Sequence, residues 1–206
     1  MIINEIGNQR FKKILQTITY ALHFISTVVI VGILLIMLPP TTGIINHILT
    51  LLGGSETDFM VEPRWFKFIY VLSESWQHAG YSSIIYIAAL SSVDISLYDA
   101  AAIDGCGRFK KMLHIDIPTI IPIVVILLIM QCGRIMNVGF EKVLLMQNSL
   151  NISSSDIIET YVYKHGLEGG EFSYASAVVL LSNVINLILL IAVNKFGKAV
   201  SGTGLW

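Results

Sequence analysis

The sequence predicts an all-α protein, a polytopic bundle of membrane helices with four spans. Three observations predict it. First, apolar residues make up 54% of the 206 residues and charged residues only 13%, with a mean hydropathy of +0.73. Soluble domains carry about 25% charged residues, so the deficit belongs to a chain with lipid as solvent over much of its surface. Second, four windows reach the roughly 20 mostly apolar residues that cross a hydrocarbon core of about 30 Å. Third, short polar islands separate the windows. Backbone groups in lipid find no water, so the windows are read as helices rather than open strands.

The first window runs from about Ile18 to Leu38 and stops at Pro39-Pro40. The segment from Pro39 to Pro63 holds Gly53-Gly54 and an apolar pattern over Ile44, Ile45, Ile48, Leu49, Leu51 and Leu52. That pattern predicts a short amphipathic helix on the outer surface. The second window, about Phe66 to Leu90, contains Glu74, Gln77 and His78. The third starts near Pro118 and ends around Met136. A loop over 137–172 follows. The fourth, about Tyr174 to Val193, is interrupted by Ser176, Ser182, Asn183 and Asn186. Trp65 with Phe66, and Phe172 with Tyr174, fit interface belts at two boundaries.

Four spans place both termini and the 91–117 loop on one side. That side holds eight basic residues: Arg10, Lys12, Lys13, Arg108, Lys110, Lys111, Lys195 and Lys198. The other side holds five, Arg64, Lys67, Arg134, Lys142 and Lys164, in longer loops. The excess puts the termini and the 91–117 loop in the cytosol. Acidic residues lean the other way, with Glu141, Asp156, Glu159, Glu168 and Glu171 in the 137–172 loop.

Composition excludes several classes. A net charge of −1 gives no basic field for nucleic acid. Cys106 and Cys132 read as two free thiols, and no His-Cys-carboxylate cluster has metal spacing. No secretory signal opens the chain, since Met1 to Lys13 is polar and basic. No P-loop is present, so ATP binds elsewhere than on this chain. No cofactor is implied. No repeat or low-complexity segment divides the chain, and one domain over 1–206 is the simplest organisation.

The 91–117 island is the segment with a mechanism. Leu97 to Ile103 predicts a short helix whose small Ala100, Ala101 and Ala102 let another surface approach closely. Asp99 is placed near its start, where the helix dipole favours an anion. Gly105 permits a positive φ and hence a sharp turn after Asp104. Gly107 to Ile115 gives a second short helix with Arg108, Lys110 and Lys111. Pro118 then sits in the first turn of the next span, where proline is tolerated.

These residues carry a resemblance. Asp99-Ala100-Ala101-Ala102-Ile103-Asp104-Gly105, with Ile115-Asp116-Ile117-Pro118 beyond, resembles the EAA loop of ABC importer permeases. That pattern is Glu-Ala-Ala-x-x-x-Gly, nine residues, then Ile-x-Leu-Pro. Here Asp99 stands for Glu and Ile117 for Leu. Asn4-Glu5 with Arg10-Phe11-Lys12-Lys13, His23-Phe24-Ile25-Ser26, Asn137-Val138-Gly139-Phe140-Glu141-Lys142 and Ser201-Gly202-Thr203-Gly204-Leu205-Trp206 resemble the oligosaccharide and aldouronate branch. The resemblance covers the whole chain. It implies a type I importer permease whose loop docks a cytosolic ABC ATPase subunit through Asp99, Ala100, Ala101, Asp104, Gly105, Ile115 and Pro118. It also implies a second permease subunit, an extracellular or periplasmic solute-binding protein, a sugar substrate and a bacterial plasma-membrane location. Such permeases have six spans. Four are visible here, so the expectation is an N-terminally incomplete domain lacking the first two.

Polar groups inside spans face a pathway or a partner. Glu74, Gln77 and His78 share one helical face. Gln131, Arg134 and Asn137 recur at intervals of three, as do Asn183 and Asn186. Sugar hydroxyls need donors and acceptors, which makes Glu74, His78, Gln131, Arg134, Asn137, Asn183 and Asn186 candidates for a substrate path. Helix–helix hydrogen bonding is the alternative role for each. His23 reads as a packed, hydrogen-bonded span histidine. An intramembrane enzyme would use Glu74 and His78 as its acid–base pair, and a purely structural membrane protein would use none of these groups. The docking-loop pattern favours the permease over both.

Overall fold

The computed structural model describes residues 9–206. Asn4 and Glu5, part of the resemblance above, lie outside the described residues. The described residues form helices joined by short turns, with no strand among them. They are α1 (Gln9–Ala21), α2 (Thr27–Met37), α3 (Ile44–Leu51), α4 (Pro63–Ser91), α5 (Ile95–Ile103), α6 (Arg108–Cys132), α7 (Phe140–Met146), α8 (Ile152–Ser155), α9 (Ile158–Val162) and α10 (Phe172–Ser201). By length and composition α6 and α10 are apolar enough to cross a membrane. The count rises to four if two bent helix pairs each form one span.

The first window is not one helix. It breaks at 22–26, between α1 and α2. Leu22–Phe24 tightens to a 3-10 turn, and Ser26, in extended conformation, starts α2 by accepting from the Val29 N–H at 3.4 Å. A serine in this position supplies an N-cap, which local apolar content does not reveal. The second window becomes a 29-residue helix, α4. By length and composition it is apolar enough to cross a membrane only together with α5, across a bend of 73°. The third span starts ten residues earlier than expected, at Arg108 rather than near Pro118, and ends at Cys132. A π-turn over Met112–Asp116 joins its first turn to the segment Ile117–Cys132. Pro118 lacks an N–H, and the wider turn before it lets the helix continue where an α ladder would be broken.

The Cα arrangement divides the chain into two compact units. Among the described residues, the first comprises 9–21, 79–135 and 184–206. Its helices pack through small residues. A Cβ on Gly80 would lie 2.3 Å from the Thr19 carbonyl oxygen, so α1 crosses α4 at backbone distance. Gly133 meets Leu190, and Gly197 meets Val125 and Ile129. The tail after α10 folds back on it: the Leu205 N–H donates to Asn194 Oδ1 at 2.8 Å.

The second unit comprises 22–78 and 136–183. Its core joins Val31, Leu38, Phe59, Phe66, Ile69, Val143 and Met146. Phe66 is therefore a core residue and not part of an interface belt. The expected amphipathic helix is present as α3. It is anchored by Asn46, fully buried, whose amide donates to Leu38 O and Thr57 O at 2.8 and 2.9 Å and accepts from the Thr57 N–H at 2.9 Å. The 137–172 segment is not an open loop. It holds α7, α8, α9 and a π-turn over Tyr163–Glu168. Asn151 supports it in the same way, donating to Met60 O at 2.8 Å and accepting from Ser155 Oγ at 2.9 Å. Both amides satisfy buried backbone groups that no helix or sheet serves.

Candidate coupling loop and polar clusters

Helix α5 begins at Ile95, so Asp99 sits in its middle and not near its positive end. The capping residue is Asp94, whose carboxylate accepts from the Ser96 N–H at 2.9 Å. That hydrogen bond holds the Asp94 carboxyl below the usual carboxylate range. The far end closes in a Schellman turn. The Gly105 N–H donates to Ala102 O at 3.1 Å and the Cys106 N–H to Ala101 O at 2.9 Å, with Gly105 at φ +70°. The expected positive φ at Gly105 is therefore present.

Two side chains clamp the hairpin of α5 and α6. The Tyr98 hydroxyl donates to Asp116 Oδ1 at 2.5 Å, and Lys111 Nζ donates to the Tyr98 carbonyl at 3.3 Å. Asp116 is buried. Sequence reasoning missed Tyr98 and Asp94. Their signal was an Asp-x-Ser start and an aromatic inside an Ala-rich helix. Asp99, Ala100, Asp104, Gly105 and Pro118 are exposed, while Ala101 and Ile115 are half-buried. Ile95, Leu97, Ile103 and Phe109 also face outward, with Ile103 87% exposed. The hairpin therefore presents exposed apolar side chains beside the charged Asp99 and Asp104.

The second unit holds a charged chain of side chains. His23 Nδ1 lies 3.0 Å from His78 Nδ1. His78 Nε2 lies 3.2 Å from Glu74 Oε1, and Lys142 Nζ lies 2.8 Å from Glu74 Oε2. Gln77 donates to Ile25 O at 2.9 Å, across the break between α1 and α2. The shared face of Glu74, Gln77 and His78 is thus present, and His23 has the hydrogen-bonded role expected of it. Lys142 was missed as a partner. Its side chain is 3% exposed against 41% for Glu74. The missed signal was a lysine followed by the apolar Val143-Leu144-Leu145-Met146 of α7.

The other path candidates fall into separate places. Gln131 and Arg134 line a cavity of about 500 Å³ in the first unit, beside Ser82, Tyr86 and Leu127. Their spacing with Asn137 does not define a helical face, because α6 ends at Cys132 and Gly133 caps it. Asn137 lies in the second unit and donates to Glu159 Oε1 at 3.0 Å. Asn137 and Asn183 line one cavity there, of about 360 Å³. Asn186 is buried on α10 in the first unit. Among the described residues no group of three or more His, Cys, Asp or Glu side chains could hold a metal.

Residues 3–202 match the family model of the binding-protein-dependent transport system inner membrane component. The chain belongs to that family. The permease is 38% identical over 206 residues to the polygalacturonan/rhamnogalacturonan transport system permease protein YteP of Bacillus subtilis, covering all of this chain and 64% of YteP. It is 29% identical to the arabinooligosaccharides transport system permease protein AraP of the same organism, over 95% of this chain and 63% of AraP. The chain thus spans just under two thirds of the length of these relatives. Among solved structures it is similar to a chain of a bacterial alginate ABC transporter in complex with an alginate pentasaccharide-bound periplasmic protein. There the TM-score is 0.96 at 35% identity, covering 99% of this chain and 71% of the other. The fold is that of an ABC importer permease, and both of these curated relatives are named for the transport of saccharides.

Proposed function

We propose that this chain is a membrane subunit of an ATP-driven importer that moves a sugar or oligosaccharide, delivered by an external binding protein, across the bacterial plasma membrane. A cytosolic ATPase subunit docks on the 91–117 loop, and a second permease subunit completes the pathway. Residues 1–206 act as one transmembrane domain, with the termini and the loop in the cytosol. The observation that supports this best is the exposed α5–α6 knob, closed by Gly105 and clamped by Tyr98 and Asp116. A docking element must present apolar and small surface and must not flex. This one has Ile103 and Ala100 outward and its two arms tied together.

The coupling step follows from helix continuity. Helix α6 runs unbroken from Arg108 in the knob to Cys132. When ATP closes the ATPase subunits, a push on the knob moves α6 as a lever, and the sugar path opens to the other side. Glu74, His78, Asn137 and Asn183, all in the second unit, supply donors and acceptors to hydroxyl groups along that path. The test is uptake of labelled xylo-oligosaccharides, with and without a uronic side group, by cells expressing the complete transporter. Purification of the tagged permease is expected to bring down an ATPase and a second permease. Uptake of an amino acid or peptide instead of either sugar would overturn the substrate class.

A further inference from the structure

The 360 Å³ cavity in the second unit has the composition of a sugar subsite and an acidic wall. Its size lies within the range of small-molecule sites, about 300–1,000 Å³. Asn137, Glu159, Ser182 and Asn183 line it, with Phe140 and Tyr163 among its apolar walls. The two rings lie 5.2 Å apart between centroids. A second cavity, of about 450 Å³, shares Val162, Leu167, Val179 and Asn183 with the first, so the two adjoin as one trough. Amides, a hydroxyl and a carboxyl beside aromatic faces match a ring that bears hydroxyl groups on its edge and C–H groups on its faces.

Glu159 decides which ring. Its Oε1 accepts from Asn137 at 3.0 Å, whereas its buried Oε2 has no hydrogen-bond donor among the described residues. A buried acceptor without a donor is unusual in a folded protein and calls for a ligand or a proton. The last torsion of a glutamate side chain is soft, so either oxygen can turn to the cavity. We infer that the trough binds a neutral sugar unit, with Glu159 accepting from ring hydroxyls and excluding a uronate at this subsite. A uronate carboxylate there would bring a second negative charge against the Glu159 carboxylate. This rests on the sugar-importer reading and adds to it a unit of defined charge at one place.

The test uses the complete transporter in proteoliposomes with its binding protein. Transport and ATP hydrolysis are measured with xylotetraose and with a glucuronosyl xylo-oligosaccharide of the same length. Glu159→Gln keeps the shape and removes the charge. It is expected to raise KM for xylotetraose about tenfold, as expected for losing a hydrogen bond to a charged group, and to move preference toward the uronic sugar. Ser182→Ala, which removes one hydroxyl from the wall, is expected to raise KM about threefold with kcat unchanged. Membrane abundance should stay at the wild-type level in both. An unchanged preference in Glu159→Gln, or a wild-type transporter that carries only the uronic sugar, would overturn the assignment while leaving a sugar importer. Transport of neither sugar would remove the sugar reading itself, and this inference with it.

Discussion

Single residues set the sharpest energetic constraints in this permease. Gly105 holds φ at +70°, and a Cβ added there would meet nothing within 4 Å, so the main effect of a substitution is backbone strain. For an L-residue in that region the cost is about 1–2 kcal/mol, and more for a β-branched one. Gly105→Val is expected to re-aim the loop, lowering substrate-stimulated ATP hydrolysis in the complete transporter while membrane abundance stays near normal. Unchanged stimulated hydrolysis would show that this turn has no part in coupling. The Glu74–Lys142 pair gives an asymmetric expectation. Lys142 is buried and Glu74 is partly open. Glu74→Gln leaves a buried ammonium facing only a neutral amide, which is destabilising. Lys142→Met leaves a carboxylate that solvent or His78 can serve. Thermal unfolding of the purified transporter should therefore fall further for Glu74→Gln than for Lys142→Met.

At the level of elements, the informative pair is α5 with the first turns of α6. The two arms of the hairpin are tied where Tyr98 hydrogen-bonds Asp116 and Lys111 reaches back to the Tyr98 carbonyl. Tyr98→Phe removes the donor and leaves a buried carboxyl short of one bond, a loss of about 1–3 kcal/mol. The expected outcome is slippage rather than loss of assembly. The ATPase should still co-purify, but sugar transported per ATP hydrolysed should fall. Transport per ATP equal to wild type would mean that the clamp is not needed for stiffness. Legibility at this scale was uneven. The apolar spacing of Ile44 to Leu52 is enough to specify α3, and Gly105 is enough to specify the turn after α5. The break at 22–26 was hidden, because Ser26 acts through one hydrogen bond to Val29 inside an otherwise apolar run.

At the scale of the molecule, the prediction concerns which way the helices cross. The proposed orientation rests on eight basic residues on one side against five on the other. Cys106, free and half-buried in the knob, is a ready probe. In a Cys132→Ser background, an impermeant thiol reagent is expected to label Cys106 in inside-out vesicles and not in intact cells. Labelling from outside would invert the topology and remove the ATPase docking assignment together with it. The large exposed apolar side chains along α10, including Leu180, Leu181 and Ile188, are what a membrane or subunit interface would cover.

The sequence by itself determined the fold class and the family, and it singled out the 91–117 loop as the candidate coupling element. Each depends on local quantities: apolar windows long enough for a bilayer, a charge island between them, and one glycine at a fixed offset from three alanines. It also placed Glu74, Gln77 and His78 on one face, since helical spacing is a property of neighbours in the chain. Only the tertiary structure showed that Lys142 neutralises Glu74 from 68 residues away. It alone turned the 137–172 loop into helices whose Val143 and Met146 complete a core with Val31 and Phe66. It separated Arg134 and Asn137 from the helical face their spacing had implied, because Gly133 ends α6 first. It also set Glu159 beside Asn137 and Asn183 around one cavity. The physical reason is the range of the interactions. Hydropathy and backbone conformation act over one or two turns of chain. Charge pairing, core packing and the walls of a cavity join residues that only the folded chain brings within a few ångströms.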